Sequence, residues 1–533
     1  VIVYASIGIL LIHQILQATP PTPDGERVDQ LLQAGDPAAP CVSFGARHWC
    51  YREFDAAVER AAQALRAAGL QPGDRLAVLS TPRPEYLLLW LAASRAGAVY
   101  AGLNPRHTAD ELGAVLRRVQ PRLVCSLRGF EGEDLAARLA QAGCAASVLA
   151  FDELDELQRA LEACAPLPPV PPIAAADDPA LARCTAIVFT SGSTGVPKAA
   201  LLTHQGLLLA ARVQHQRLGP PRPRLLSHLP IDHVGCLMNL TLGALVGGGS
   251  LVFMERFDAG RTLALLARER ITTWLQVPAM FHACVQHPAF DPAALHGLHA
   301  ICIGGGAASA ATLAALRRIG ARLFVEYGQT ETSSSASYAD EGASDEVLAH
   351  CVGRFDPRFE FRIADAQGRE CGVDEVGEIQ GRGPLLFAGY LGDPQATREA
   401  FTPDGWLHTG DLASRRADGN VVLRGRLREM IKSGGYNVYP REVEQVLEAH
   451  PAVDQVVVLA LPDERYGEAV HAVVRWRHGP AARAELDALC RAHLANYKVP
   501  KSFRTLEVFP LLPNGKVDRA LTRALAPRLA AID

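Results

Sequence analysis

No pair of cysteines in this chain has C-x-x-C spacing, and no cysteine–histidine cluster has zinc spacing, although twelve cysteines lie between Cys41 and Cys490. These absences point away from a zinc module and toward reduced thiols in a cytoplasmic protein, many of them buried as small hydrophobes. No cysteine has a local context that marks it as a nucleophile. Excess charge of either sign is also lacking: 53 Lys and Arg stand against 57 Asp and Glu, a formal net charge of −4. The arginines are interspersed with acids, as on an ordinary solvated surface, so no nucleic-acid partner is expected. There is no internal repeat and no run long enough to span a bilayer. The leading stretch from Val1 to Leu16 is apolar but short, and Ser6, His13 and Gln14 interrupt it. No basic segment precedes it, which argues against a secretory signal and for a start-site artefact or a packed leading segment over a membrane anchor.

What is present is enough for a large folded protein. Apolar residues make up 49% of 533 positions, too long a chain for one core, so two or three domains are expected. From Trp49 to about Phe151 helical and strand patterns alternate. Tyr51–Ala68 and Glu85–Ala96 have helical spacing, while Arg75–Leu79 and Leu123–Cys125 read as short buried strands. Such alternation predicts an α/β fold with mainly parallel, helix-covered sheets. Ala165–Asp178 is rich in Pro and Ala and reads as a surface connection. The same rhythm resumes at Thr185, gives way to short strands between Cys351 and Leu423, and ends in a compact α/β tail after Arg424.

The run Ala186–Phe189 enters Thr190, Ser191, Gly192, Ser193, Thr194, Gly195, Val196, Pro197 and Lys198. Small residues let such a backbone turn successive N–H groups toward an anion, and four hydroxyls and one ammonium add donors and charge. The pattern describes a polyphosphate cradle, although a Ser/Gly-rich surface turn has the same composition. It is not a Walker loop, because Pro197 precedes the lysine and Ala199 follows it.

A second glycine-rich segment has a rival reading. A strand over Ala300–Ile303 leads into Gly304, Gly305, Gly306 and Ala307, then an Ala-rich helix to Ile319 and a strand ending on Glu326. This nearly satisfies the dinucleotide fingerprint and keeps an NAD-dependent oxidoreductase in view. Ser309 stands in place of the third glycine, however. Glu326 also runs directly into Tyr327, Gly328, Gln329, Thr330 and Glu331, which that fingerprint does not explain.

Three more clusters follow. His408–Leu412 places the Asp411 carboxylate on a tight turn suited to a ribose diol. Arg426–Gly435 combines cations with a glycine pair, and Leu512–Val517 puts Lys516 on a turn. Each alone is an ordinary surface loop. In this order and spacing they resemble the adenylate-forming superfamily of acyl-CoA synthetases, aryl-CoA ligases, luciferase and peptide-synthetase adenylation domains. The likeness runs from about Val42 to Leu521.

The resemblance implies a large N-terminal domain over 1–425, with a β-rich subdomain at about 351–423. A small mobile α+β C-terminal domain over 426–533 would turn on a hinge at Arg428, where many relatives carry Lys or Asp. It also implies roles. The Thr190–Lys198 loop would hold ATP phosphates. Gly305, Gly306 and Ala307, with Glu326 and Tyr327, would frame the adenine. Thr330 would contact the α-phosphate, Glu331 would hold Mg2+, and Asp411 would bind the ribose with Arg426 nearby. Lys516 would serve adenylation. Lys432, with Ser433, Gly434 and Gly435, would serve transfer to the CoA thiol.

His233 matches the family position bordering the acyl pocket, where amino-acid-activating relatives carry Asp. Val234, Gly235, Leu237, Val277 and Gly304 would line the pocket. Their small or aliphatic side chains imply an apolar acid, with a fatty acid as first choice and an aryl acid second. One methylene in such a pocket is worth only about 1–3 kcal/mol, so chain length is not readable. Free CoA is the expected acceptor and a carrier protein the alternative. The chain is expected to act as a monomer or homodimer.

Overall fold

A computed structural model describes residues 25–167, 180–190, 198–433, 436–463, 466–477, 479–512 and 517–532. Val1–Leu16, Ser191–Gly195, Gly434, Gly435 and Lys516 therefore lie outside the described residues. The chain forms two compact units. One runs to residue 360 and takes in 381–407; the other comprises 361–380 and 408–533. The β-rich stretch at 351–423 is thus divided between them.

In the first unit, nine strands among the described residues form one sheet, and six form another. The nine-stranded sheet has a parallel centre of Pro40–Phe44, Ser250–Phe253, Arg224–Ser227, Thr273–Gln276, Ala300–Ile303 and Arg322–Gln329. Antiparallel strands, among them Ser334–Tyr338, flank it. The six-stranded sheet is parallel except for its edge, where Lys198–Thr203 runs antiparallel to Cys184–Thr190.

Helix patterns explain how these layers join. Tyr51–Ala67 buries Phe54, Val58, Ala61, Ala62 and Leu65 at helical spacing, and its first turn is tied by Cys50 N–H donating to Glu53 Oε2 at 2.9 Å. Pro84–Ala96 is apolar all round and starts with proline at its first turn. A helix with no polar face must be covered on every side. This one packs on the preceding helix and on strands of both sheets. One core cluster lies under the large sheet, where Trp274 and Phe281 rings meet at 4.8 Å.

The second unit contains a four-stranded sheet, ending in Leu407–Arg415 and Val421–Arg426, and a five-stranded sheet centred on Val453–Asp463 and Gly467–Trp476. Helices Pro440–Glu448 and Arg483–His493 cover a core of Val443, Leu447, Val458, Val470, Leu486 and Phe503. This is the α+β character expected of the tail. No helix among the described residues is long and apolar enough to cross a membrane. All twelve cysteines are free.

Candidate active site

The carboxyl ends of parallel strands gather several of the first unit's candidate residues, the usual place for a ligand in open α/β sheets. Ala300–Ile303 leads into Gly304, which is buried, and then into the exposed Gly305, Gly306 and Ala307. Next to it, the strand Arg322–Gln329 continues three residues past Glu326, so Tyr327, Gly328 and Gln329 are strand and not loop. The extension is held by the antiparallel return of Ser334–Tyr338. Gly328 is required there, since a Cβ would lie 1.5 Å from the Ser334 carbonyl oxygen. Thr330, Glu331 and Thr332 form a tight turn, with the Thr332 hydroxyl capping Gln329 N–H at 3.0 Å.

Glu326 and Tyr327 occupy successive strand positions and therefore face opposite sides of the sheet. The Glu326 carboxylate meets Gly304, where a Cβ would come within 2.6 Å of Oε1. It accepts a hydrogen bond from Asn239 Nδ2 at 3.0 Å, and the same amide reaches Ser335 Oγ at 3.0 Å and Gln214 Oε1 at 2.7 Å. Glu326 Oε2 makes no hydrogen bond among the described residues. Burial pushes the carboxyl up to about 7, while the nearby Ser335 hydroxyl and Cys302 thiol partly oppose the shift.

Asn239 sits on a π-helical segment, Gly235–Leu242, a form often found at functional sites. The segment carries two expected pocket residues, Gly235 and the fully buried Leu237. His233 and Val234 lie just before it, half-buried, and the His233 N–H bonds to Pro230 O at 3.1 Å. Val277 caps the helix Pro278–Gln286, and Gly306 lies against Pro278, where a Cβ would be 3.4 Å from Cγ. The expected acyl-pocket residues thus lie on neighbouring elements of one unit.

Thr190 and Lys198 are cross-strand partners that end one strand and begin the next, so residues 191–197 connect a hairpin. The Lys198 ammonium stands 4.9 Å from the centroid of the Tyr390 ring. Tyr390 in turn donates its hydroxyl to Glu331 Oε1 at 2.8 Å. This residue was not singled out in the sequence. Its only signal was a Gly389–Tyr390 pair in a stretch broken by Gly and Pro, 59 positions from its partner. Asn239 was missed as well, although it is the lone amide in an apolar run.

In the second unit Asp411 is buried at 6% exposure and pairs with Arg426 Nε at 3.1 Å. The two are register partners on adjacent antiparallel strands, so Asp411 lies within a strand and not on the tight turn expected of it. The strand is pinned by Glu378, whose Oε1 accepts Gly410 N–H at 2.9 Å and whose Oε2 meets His408 Nδ1 at 2.6 Å. Arg428 and Lys432 are exposed, and Lys432 N–H donates to Glu468 Oε2 at 2.8 Å. Ser433 is 3% exposed, ends the strand Ile431–Ser433 and pairs with both Gly467 and Tyr436.

No group of three metal-ligating side chains occurs among the described residues. The Glu331 carboxylate is joined to Lys198 through Tyr390. That donor set suits Mg2+, which keeps waters and takes substrate phosphates in preference to an all-protein cage.

Comparison with known proteins agrees with this arrangement. The model for AMP-binding enzymes matches residues 32–391, and the AMP-binding enzyme C-terminal domain matches 442–516. The chain therefore belongs to the AMP-binding enzyme family, the adenylate-forming superfamily. It is an enzyme of the AMP-forming carboxylate–CoA ligase class, which displaces the dehydrogenase reading of the Gly304 segment.

Among its relatives is a feruloyl-CoA synthase of an Amycolatopsis species, 34% identical over 490 residues, 90% of this chain and 94% of that one. A medium/long-chain fatty-acid–CoA ligase of Mycobacterium tuberculosis is 33% identical over 87% of this chain and 83% of its own. An indoleacetate–CoA ligase of Aromatoleum aromaticum is 33% identical over 92% and 96%. The ATP-bound structure of MatB from Rhodopseudomonas palustris superposes with a TM-score of 0.82 at 29% identity, covering 93% of this chain and 98% of that one.

Proposed function

We propose that the protein is an ATP-dependent acyl-CoA synthetase that activates an apolar carboxylic acid as its acyl-adenylate and passes the acyl group to CoA. The observation that supports this reading is the junction of Lys198, Tyr390 and Glu331, where the lysine that would close the phosphate loop and the carboxylate that would hold a metal share one tyrosine. In the first half-reaction the substrate carboxylate attacks the α-phosphorus of ATP, the bond to pyrophosphate breaks, and a mixed anhydride forms. In the second, the CoA thiolate attacks the acyl carbonyl and AMP leaves.

Two anions meet in the first step, so the protein's task is to offset charge and fix geometry; no protein nucleophile is needed. Thr190 to Lys198, including Ser191, Gly192, Ser193, Thr194 and Gly195, would hold the polyphosphate. Tyr327 would stack on the adenine beside Gly305, Gly306 and Ala307, and Thr330 would contact the α-phosphate. Asp411, with Arg426, would bind the ribose, and Lys516 would bridge the substrate carboxylate and α-phosphate. Glu331 would hold Mg2+, which when bound neutralises phosphate charge. For thioester formation the domain over 426–533 would turn at Arg428, bringing Lys432, Ser433, Gly434 and Gly435 to the acyl site, a common switching mode.

His233, Val234, Gly235, Leu237, Val277 and Gly304 would bound the acid, and a fatty acid suits their character. An aryl acid is the second reading. It is favoured by the feruloyl-CoA synthase and the indoleacetate–CoA ligase among the relatives, and a flat ring suits the same kind of slot. The test is AMP release from a panel of aliphatic and aromatic acids, with CoA and with a carrier protein as acceptor. Turnover of alkyl acids with CoA supports the first reading and preference for ring acids the second. Thioester formation only on the carrier protein refutes CoA as acceptor.

A further inference from the structure

We propose that Tyr390 is a positioning residue for adenylation. Its hydroxyl orients the Glu331 carboxylate toward the metal–nucleotide, and its ring keeps the Lys198 ammonium apart from that carboxylate. The inference rests on the reading of Glu331 and Lys198 given above.

A lysine and a glutamate placed near each other without ligand tend to collapse into an ion pair. Among the described residues Lys198 and Glu331 form none, and the group that touches both is Tyr390. The ring face takes the cation at 4.9 Å and the hydroxyl takes one lone pair of Oε1 at 2.8 Å. A carboxylate has about four acceptor sites, so the bond fixes Glu331 without using up its capacity for a cation.

The tyrosine is itself held from two directions. Ala388 N–H donates to Leu201 O at 2.8 Å, Leu201 N–H to Gly389 O at 2.9 Å and Leu391 N–H to Ala199 O at 2.9 Å, so residues 388–391 zip along the strand that Lys198 begins. Phe387 N–H donates to Glu331 O at 2.9 Å and its ring meets Tyr390 edge-on at 4.8 Å. Tyr390 N–H bonds to Thr397 Oγ1 at 2.9 Å. Residues 387–391 thus join the backbone carrying Glu331 to the strand carrying Lys198, and Tyr390 is 9% exposed at that junction.

The experiment uses the full-length protein with Mn2+ and a non-hydrolysable ATP analogue, reading bound metal by electron paramagnetic resonance, alongside the Mg2+ midpoint of ATP–pyrophosphate exchange. Tyr390→Phe keeps the ring and loses the hydroxyl. It is expected to weaken Mn2+ retention and raise the Mg2+ midpoint roughly tenfold, the scale of a hydrogen bond to a charged group. Tyr390→Leu also removes the ring and is expected to weaken nucleotide binding a further threefold or so. Glu331→Gln is the reference. If it weakens metal retention while Tyr390→Phe does not, the role of Tyr390 is overturned and the Glu331 reading stands. If Glu331→Gln changes neither quantity, both are overturned. Tyr390→Phe is close to isosteric, so the outcome is readable even if Tyr390→Leu does not fold.

Discussion

Replacing Glu326 by Gln is expected to flatten the pH dependence of folding stability. The side chain is buried beneath Gly304, accepts from Asn239 at Oε1 and has no hydrogen-bond partner at Oε2 among the described residues. Burial moves its pKa from an ordinary value of 4.5 up to about 7. Between those values the folded chain carries a proton there that the unfolded chain has lost, so stability falls as pH rises. The contribution is fully present below about 4.5 and gone above about 7. At 1.36 kcal/mol per unit the swing is about 3 kcal/mol.

Glutamine does not ionise and keeps an oxygen for Asn239, so the variant should lose this slope and exceed the parent in stability at pH 8. Buried His204, held down to about 3 by burial and by the charge of Arg27, acts in the opposite sense, costing stability as pH drops below about 6.5. It is common to both proteins and cancels in their difference. Equilibrium urea unfolding of the two proteins between pH 4.5 and 8 gives that difference directly. Parallel stability curves across the window would refute the argument that Glu326 folds in its protonated form.

Lys516→Ala is expected to slow acyl-AMP formation by about 10²–10³, the scale of one preorganised donor. Thioester formation from supplied acyl-AMP should survive, and equal loss of both half-reactions would remove Lys516 from the adenylation step. Gly435→Trp should block thioester formation while ATP–pyrophosphate exchange persists; unchanged thioester output would count against a CoA channel there. Gly102→Ala would bring a Cβ within 2.4 Å of Ile231 O and 3.0 Å of Asp232 Cα, the backbone leading to His233. The expected result is about 1–3 kcal/mol of destabilisation, read by urea unfolding, and a raised KM for the acid with KM for ATP nearly unchanged.

Periodic elements were legible in the sequence. The helix expected over Tyr51–Ala68 occupies Tyr51–Ala67, and the strand Arg75–Leu79 falls where its apolar run lies. The family, the ligase class and the α/β layering followed from local motifs in order. Features that depend on a distant partner were not legible. The strand expected to end at Glu326 runs to Gln329 because Ser334–Tyr338, a serine-rich segment of poor strand propensity, returns beside it. Asp411 read as a turn residue because Gly410 precedes it, yet cross-strand pairing with Arg426 makes it part of a ladder. Tyr390 and Asn239 reach the site through hydrogen bonds spanning 59 and 87 positions, which no spacing rule anticipates.

Those spans bear on the order in which the molecule can be completed as it is made. The edge strand Lys198–Thr203 is laid down early, but the segment that zips along it, with Tyr390, arrives only after both sheets' remaining strands have left the ribosome. A nascent chain stopped before residue 385 would hold both Lys198 and Glu331 with nothing between them, free to pair with each other. The junction of Lys198, Tyr390 and Glu331 is therefore a late product of synthesis, assembled on a scaffold that is already largely folded.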